Sequence, residues 1–275
     1  MRKILVPIDF SKKSEFATKL AAKIHKKIEC EIYLLHLVEL PTGVIDMASG
    51  SRFSIPESMM YLRKLRDRII EFKQEFFPDD DSIHYVIKVK NPYEGIIDYS
   101  KKINADLIVM GSKGLSDFDE ILIGSNTEKV VRTSEIPVLV AKKNVDKFKL
   151  KNLVFASNFK EENKEVFGKF LTFAKEFKST INLVKVNTPS KFESSFDTRQ
   201  RISEFISDFD LPKHSINVYN DTSVQNGILN FSREINADLI ALSTHGRSGL
   251  SQFFNGSVAH SISKNALRPI ITFKI

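Results

Sequence analysis

Residues 103–108, Ile-Asn-Ala-Asp-Leu-Ile, recur letter for letter at 235–240. Each copy runs into a glycine-bearing loop that closes on Gly-Ser. The first loop is Gly111-Ser112-Lys113-Gly114, nine residues, then Gly124-Ser125. The second is Ser243-Thr244-His245-Gly246, nine residues, then Gly256-Ser257. One offset of 132 residues (235 − 103, 246 − 114, 256 − 124) relates the pairs, and Pro137 and Pro269 keep it. An offset held across a strand, a loop and a following helix marks a duplicated domain.

Working outward, apolar runs alternate with helical patterns. Strands are expected at 2–8, 30–38, 83–89, 105–110 and 137–141, with helices at about 11–27, 56–77, 92–103 and from Ser125. The second half repeats the order, with strands at 153–157, 180–186, 214–219, 237–242 and 269–274. Its helices fall at 160–177, about 195–208, 223–234 and 257–266. Strand–helix alternation implies βαβ units and a parallel sheet. Asp9 and Asn158 define a second offset, 158 − 9 = 149, so the first half carries 17 extra residues, mostly around 41–55. The expected domains are 1–143 and 151–275, with a linker too short to let them wander.

Composition excludes several classes. The 275 residues are 42% hydrophobic and 27% charged, an ordinary globular balance that suits two domains. No apolar run approaches the roughly 18–20 residues of a membrane span. The N-terminal residues pass straight into a strand-like run without a signal-peptide cleavage region, so the expected compartment is the cytoplasm. Cys30 is the only cysteine. Net charge is +7, but the lysines are spread among acids without a basic tract, so no nucleic-acid partner and no membrane partner is expected. Neither a Walker A nor a G-x-G-x-x-G motif occurs, and His and Cys show no metal spacing.

The loop carries the chemistry. Glycine allows close backbone approach, and Gly124-Ser125 would open a helix whose unpaired amides and positive dipole end suit phosphate. Lys113 can neutralise charge. Asp9, at the end of the first strand, can accept hydrogen bonds from a ribose hydroxyl or an adenine amine, or else cap the helix that follows. Parallel sheets bind ligands outside the carboxyl ends of their strands, where strand order reverses, so Asp9 and Gly111 are expected to share one crevice.

The spacing Gly-x2-Gly-x9-Gly-Ser, with Ile4-Leu5-Val6-Pro7-Ile8-Asp9 before it and Ile136-Pro137-Val138-Leu139-Val140 after it, resembles the universal stress protein family. The whole chain is similar to the tandem, two-domain form. The resemblance implies two tandem Rossmann-like (adenine nucleotide alpha hydrolase-like) α/β domains. Each would be a five-stranded parallel sheet with helices on both faces. It also implies ATP, with Mg as a further expectation, as ligand. Carried over, Pro7, Ile8 and Asp9 match the adenosine-contacting strand end, and Leu37 the base pocket. Met110, Gly111, Gly114, Gly124, Ser125 and Asn126 match the phosphate stretch, although a small apolar residue is common at the position of Asn126. The second half departs at Ser243 and Asn158 but keeps Gly246, Gly256 and Ser257, so weaker binding is expected there. An apolar last strand in each half, together with the resemblance, leads us to expect an intramolecular pseudo-dimer; a homodimer of chains is a further expectation.

Three function classes remain on the residues alone. They are an ATP-dependent regulator or sensor, a nucleotide-free interaction module, and a slow ATPase with an acid of the loop (Asp117, Asp119 or Glu120) holding a metal ion. No catalytic residue is assigned.

Overall fold

The computed structural model describes residues 1–39, 55–111, 114–115, 119–121, 125–141, 148–244 and 268–275. In the first half the order is β1 (Lys3–Ile8), α1 (Lys12–His25), β2 (Glu31–Val38), α2 (Ile55–Phe76), β3 (Ile83–Val89), α3 (Pro92–Lys102) and β4 (Leu107–Gly111). Then come β5 (Gly114–Leu115), β6 (Asp119–Ile121), α4 (Ser125–Thr133) and β7 (Val138–Ala141). The second half has β8 (Asn152–Ala156), α5 (Lys164–Glu176), β9 (Thr180–Asn187), α6 (Ser195–Ile206), β10 (His214–Asn220), α7 (Val224–Glu234), β11 (Leu239–Thr244) and β12 (Ile270–Lys274). The expected helix at 257–266 lies outside the described residues.

All strands except β5 and β6 form one ten-stranded sheet, ordered β10-β9-β8-β11-β12-β7-β4-β1-β2-β3. Within each set of five the pairing is parallel. Where the sets meet, β12 runs antiparallel to β7, with Ile271 opposite Leu139. The strands read as continuous apolar runs because both faces of a parallel sheet are covered. One core lies under α1, α2, α5 and α6 and passes unbroken from Leu139 and Ala141 to Ile271 and Phe273. On the other face each half has its own core, one under α3 and α4 and one under α7.

The repeated hexapeptide holds several junctions at once. Ile103 and Ile235 close α3 and α7. Asn104 and Asn236 then turn the chain with φ of 51° and 50°, a left-handed conformation that asparagine tolerates better than most residues. Asp106 accepts the amides of Arg2 and Lys3 at 2.7 and 2.9 Å, and Asp238 those of Lys151 and Asn152 at 3.0 and 2.9 Å. Each aspartate thereby fixes the start of the neighbouring first strand of its half. Leu and Ile enter the sheet.

Two expectations are corrected. The stretch between Gly114 and Ile121 was expected as plain loop; β5 and β6 pair there as a small antiparallel hairpin. The helix expected from residue 160 opens instead with a 3-10 turn, Glu161–Asn163, and becomes α-helical at Lys164. Asn163 is buried there, and its side-chain amide donates to Asn158 Oδ1 at 2.9 Å.

The second half also builds a charged knot at the start of α6. Glu193 accepts from Arg201, Lys185 and Thr198, and Lys185 is buried. Hydrogen bonds from Arg201 first, then Lys185, hold the Glu193 carboxyl down at about 2 against the opposing effect of burial. A depressed carboxyl stabilises the fold above its unfolded pKa, near 4.5, and loses that contribution as pH falls toward 2. With Glu193 39% exposed, screening limits the contribution to about 1 kcal/mol. Glu193→Gln should therefore cost about 1 kcal/mol at pH 7 and clearly less at pH 2.5, as read by urea unfolding at both pH values.

Candidate functional site

Strand order reverses between β1 and β4, since β1 pairs with β2 on one side and β4 on the other. A crevice of about 440 Å³ opens at the carboxyl ends of these two strands. Its lining combines apolar residues, Ile8, Leu35, Leu37, Ile96 and Met110, with polar ones, Asp9, Ser11, Lys13, Ser14, Ser125, Asn126 and Thr127. Pro7, Pro92 and Gly111 complete the described lining. Three helices begin beside it, α1 at Lys12, α3 at Pro92 and α4 at Ser125. Three positive dipole ends therefore converge on one space, with the first amides of α3 already taken by Asn91.

Of the residues singled out in the sequence, Pro7, Ile8, Asp9, Leu37, Met110, Gly111, Ser125 and Asn126 all line this crevice. Gly114 is described only as the first residue of β5. Lys113, Gly124, Gly246, Gly256 and Ser257 lie outside the described residues, as does Asp117. Asp119 and Glu120 belong to β6.

Asp9 does not cap α1. Ser11 does, with its hydroxyl accepting from the Ser14 amide at 3.3 Å, while Asp9 Oδ1 accepts the Ser11 amide at 3.0 Å. Burial raises the Asp9 pKa, but hydrogen bonds from Ser11 and Ser14 outweigh it, so the carboxyl stays below its usual range and ionised. Phe10, next in the chain, has φ of 60°, a strained conformation for a bulky residue. Packing holds it: its ring lies 4.7 Å from that of His36 and 4.3 Å from the Arg68 guanidinium. His36 is buried and donates from Nδ1 to the Ile8 carbonyl at 2.9 Å, a satisfied core histidine.

Gly111 needs its missing side chain for a reason other than ligand approach. A Cβ there would lie 2.4 Å from the Lys13 carbonyl oxygen, so glycine lets the first turn of α1 close against the end of β4. Thr127 Oγ1 donates to the Gly111 carbonyl at 3.1 Å, tying the start of α4 to the same strand end. Gly95 plays a comparable part, since its Cβ would meet Leu37 at 2.4 Å. Gly227, 132 residues on, stands in the same relation to Val186.

Sequence reasoning missed Ser11, Lys13, Ser14, Leu35, Pro92, Ile96 and Thr127 as lining residues. Leu35 was findable, because strand alternation puts it on the same face as Leu37. The others depend on where helices dock.

In the second half Asn158 stands in for Asp9, and its Oδ1 is already taken by the Lys160 amide and Asn163 Nδ2, at 3.1 and 2.9 Å. Phe159 repeats the strained turn with φ of 53°. Ser243 ends beside Phe273 in β12.

One arrangement elsewhere has the outline of a catalytic triad. Cys30 Sγ lies 3.6 Å from His25 Nδ1, and His25 Nε2 lies 2.8 Å from Asp80. Burial pushes the Cys30 thiol up to about 11, and His25 Nδ1 is engaged by the Cys30 carbonyl at 2.9 Å. The thiol is therefore no nucleophile at neutral pH. Among the described residues no group of His, Cys, Asp and Glu could hold a metal ion, and no helix is long and apolar enough to cross a membrane.

The sequence profile of the Universal stress protein family matches residues 1–142 and 212–274. The chain belongs to that family. The two matches fit the tandem form. Universal stress protein MJ0531 of Methanocaldococcus jannaschii is 33% identical over 147 residues, 52% of this chain and 82% of its own length. Universal stress protein MJ0577 of the same organism is 31% identical over 155 residues, 52% of this chain and 95% of its own length. A crystal structure of a universal stress protein from Archaeoglobus fulgidus matches end to end, covering 99% of this chain and 98% of its own. Its TM-score is 0.72 at 21% identity, so it speaks to fold alone. For a universal stress protein of this kind, the crevice between β1 and β4 is the place where function is to be sought.

Proposed function

We propose that this universal stress protein binds ATP, or a related adenine nucleotide with Mg beside its phosphates, in the first crevice. The observation that carries the reading is the crevice's mixed lining beside three helix N-termini. The apolar residues suit a flat base, and the polar residues with the helix N-termini suit phosphate. Asp9, ionised and at the rim, is placed to accept from a ribose hydroxyl. We read the protein as a cytoplasmic stress-response regulator or sensor, a binder whose hydrolysis, if measured, is slow. The second half binds nucleotide more weakly. We read residues 1–143 and 151–275 as two domains paired as an intramolecular pseudo-dimer, a reading that the antiparallel β7–β12 contact supports.

Gently purified protein should release an adenine nucleotide on denaturation, identified by mass spectrometry, and calorimetry should give close to one strong site per chain. Gly114→Val should abolish that site by blocking backbone approach at the loop. Wild-type protein that carries no nucleotide and takes up none would overturn the reading.

A further inference from the structure

The lining of the crevice includes one lysine. Lys13 lies in the first turn of α1, half-buried, and lines the crevice. Its backbone and Cβ lie against Gly111, within 2.4 to 2.9 Å of where that residue's Cβ would be, so its side chain springs from the entrance of the glycine loop. No acid lies within 4 Å of its ammonium among the ion pairs of the described residues. The Asp9 carboxylate is engaged by Ser11 instead. A cation at a helix N-terminus is unfavourable, and an anion in the crevice offsets that.

The second half supplies the contrast. The 149-residue offset that pairs Asp9 with Asn158 also pairs Phe10 with Phe159 in the same left-handed turn, and pairs Lys13 with Glu162. The charge at this position is reversed.

We propose that Lys13 is the residue by which the first crevice selects a polyphosphate tail. The ligand class of the first crevice is then an adenine nucleotide with its phosphates, rather than a nucleoside. This rests on the reading of the crevice as an adenine-nucleotide site.

The test is calorimetry of the full chain with ATP and with adenosine, on wild type, Lys13→Met, Lys13→Arg and Lys13→Glu. A charge-assisted contact predicts that Lys13→Met weakens ATP by roughly tenfold to a hundredfold and leaves adenosine within about twofold. Lys13→Arg should keep ATP within a few-fold. Lys13→Glu, which writes the second half's residue into the first crevice, should weaken ATP well beyond Lys13→Met. Unchanged ATP affinity in Lys13→Met, or parallel loss of ATP and adenosine, overturns the role of Lys13. Equal ATP affinity in Lys13→Glu and Lys13→Met overturns the role of charge at this position. Wild type that binds neither ligand overturns the nucleotide reading itself, and the selection by Lys13 with it.

Discussion

Ile271→Lys should destabilise the protein by about 5 kcal/mol and open the seam between its halves. Ile271 is fully buried, sits opposite Leu139 across the β7–β12 ladder, and belongs to the core that runs unbroken through both halves. An ammonium there is buried among apolar side chains and displaces packing on both sides. Two exposed apolar edges would follow, since β7 and β12 cover each other. The cost should appear as a fall in Tm of more than about 10 °C. Limited proteolysis should then cut between Ala141 and Phe148 much faster than in wild type. Thr272 Oγ1 donates to the Val138 carbonyl at 3.3 Å and Lys274 reaches the Thr133 carbonyl at 3.4 Å, so the same strand also carries polar ties across the seam. Linker cleavage unchanged from wild type would mean that the halves behave as independent bodies, against the pseudo-dimer.

The second large effect is expected at Gly111. Gly111→Ala places a Cβ 2.4 Å from the Lys13 carbonyl oxygen, a backbone atom that cannot swing aside. The first turn of α1 must move away from β4, at a cost of about 2–4 kcal/mol in ligand-free protein. The displaced turn carries Ser11, Lys13 and Ser14, so nucleotide affinity should fall as well. A glycine retained only for ligand approach would lose affinity with no change in unfolding free energy, and urea denaturation of the ligand-free variant separates the two. The second half agrees with the steric account. It carries Ser243 at the matching position, and the first turn of its helix is 3-10 rather than α.

The duplication, the parallel sheets and the crevice could be read from the chain because their determinants are local or repeated. The hexapeptide is legible because Asn104 and Asp106 each make one short-range junction that the second copy must make again. Strand ends at Asp9 and Gly111 are legible from apolar runs that stop. What could not be read depends on contacts distant in sequence. The true partner of Gly111 is a carbonyl 98 residues earlier in the chain (111 − 13), and no pattern around residue 111 points to it. Lys13 looks like any solvated lysine until α1 docks. The short β5–β6 pair has too few residues for a periodic signal, and the delayed start of α5 depends on one buried asparagine.

The antiparallel join also bears on how such a protein can change over generations. In an assembly of two identical chains, any substitution is made twice, and an altered crevice must serve both partners. Here the two copies are encoded separately yet share one sheet and one core. A lysine can become a glutamate, or an aspartate an asparagine, in one copy while the other is untouched. The shared sheet supplies the folding stability that a drifting copy would otherwise have to provide alone. Because the sheet reverses direction at the join, the carboxyl ends of the two strand sets face opposite edges, so a change at one does not crowd the other. Fusion thus turns a symmetric pair into two separately tunable edges of one sheet.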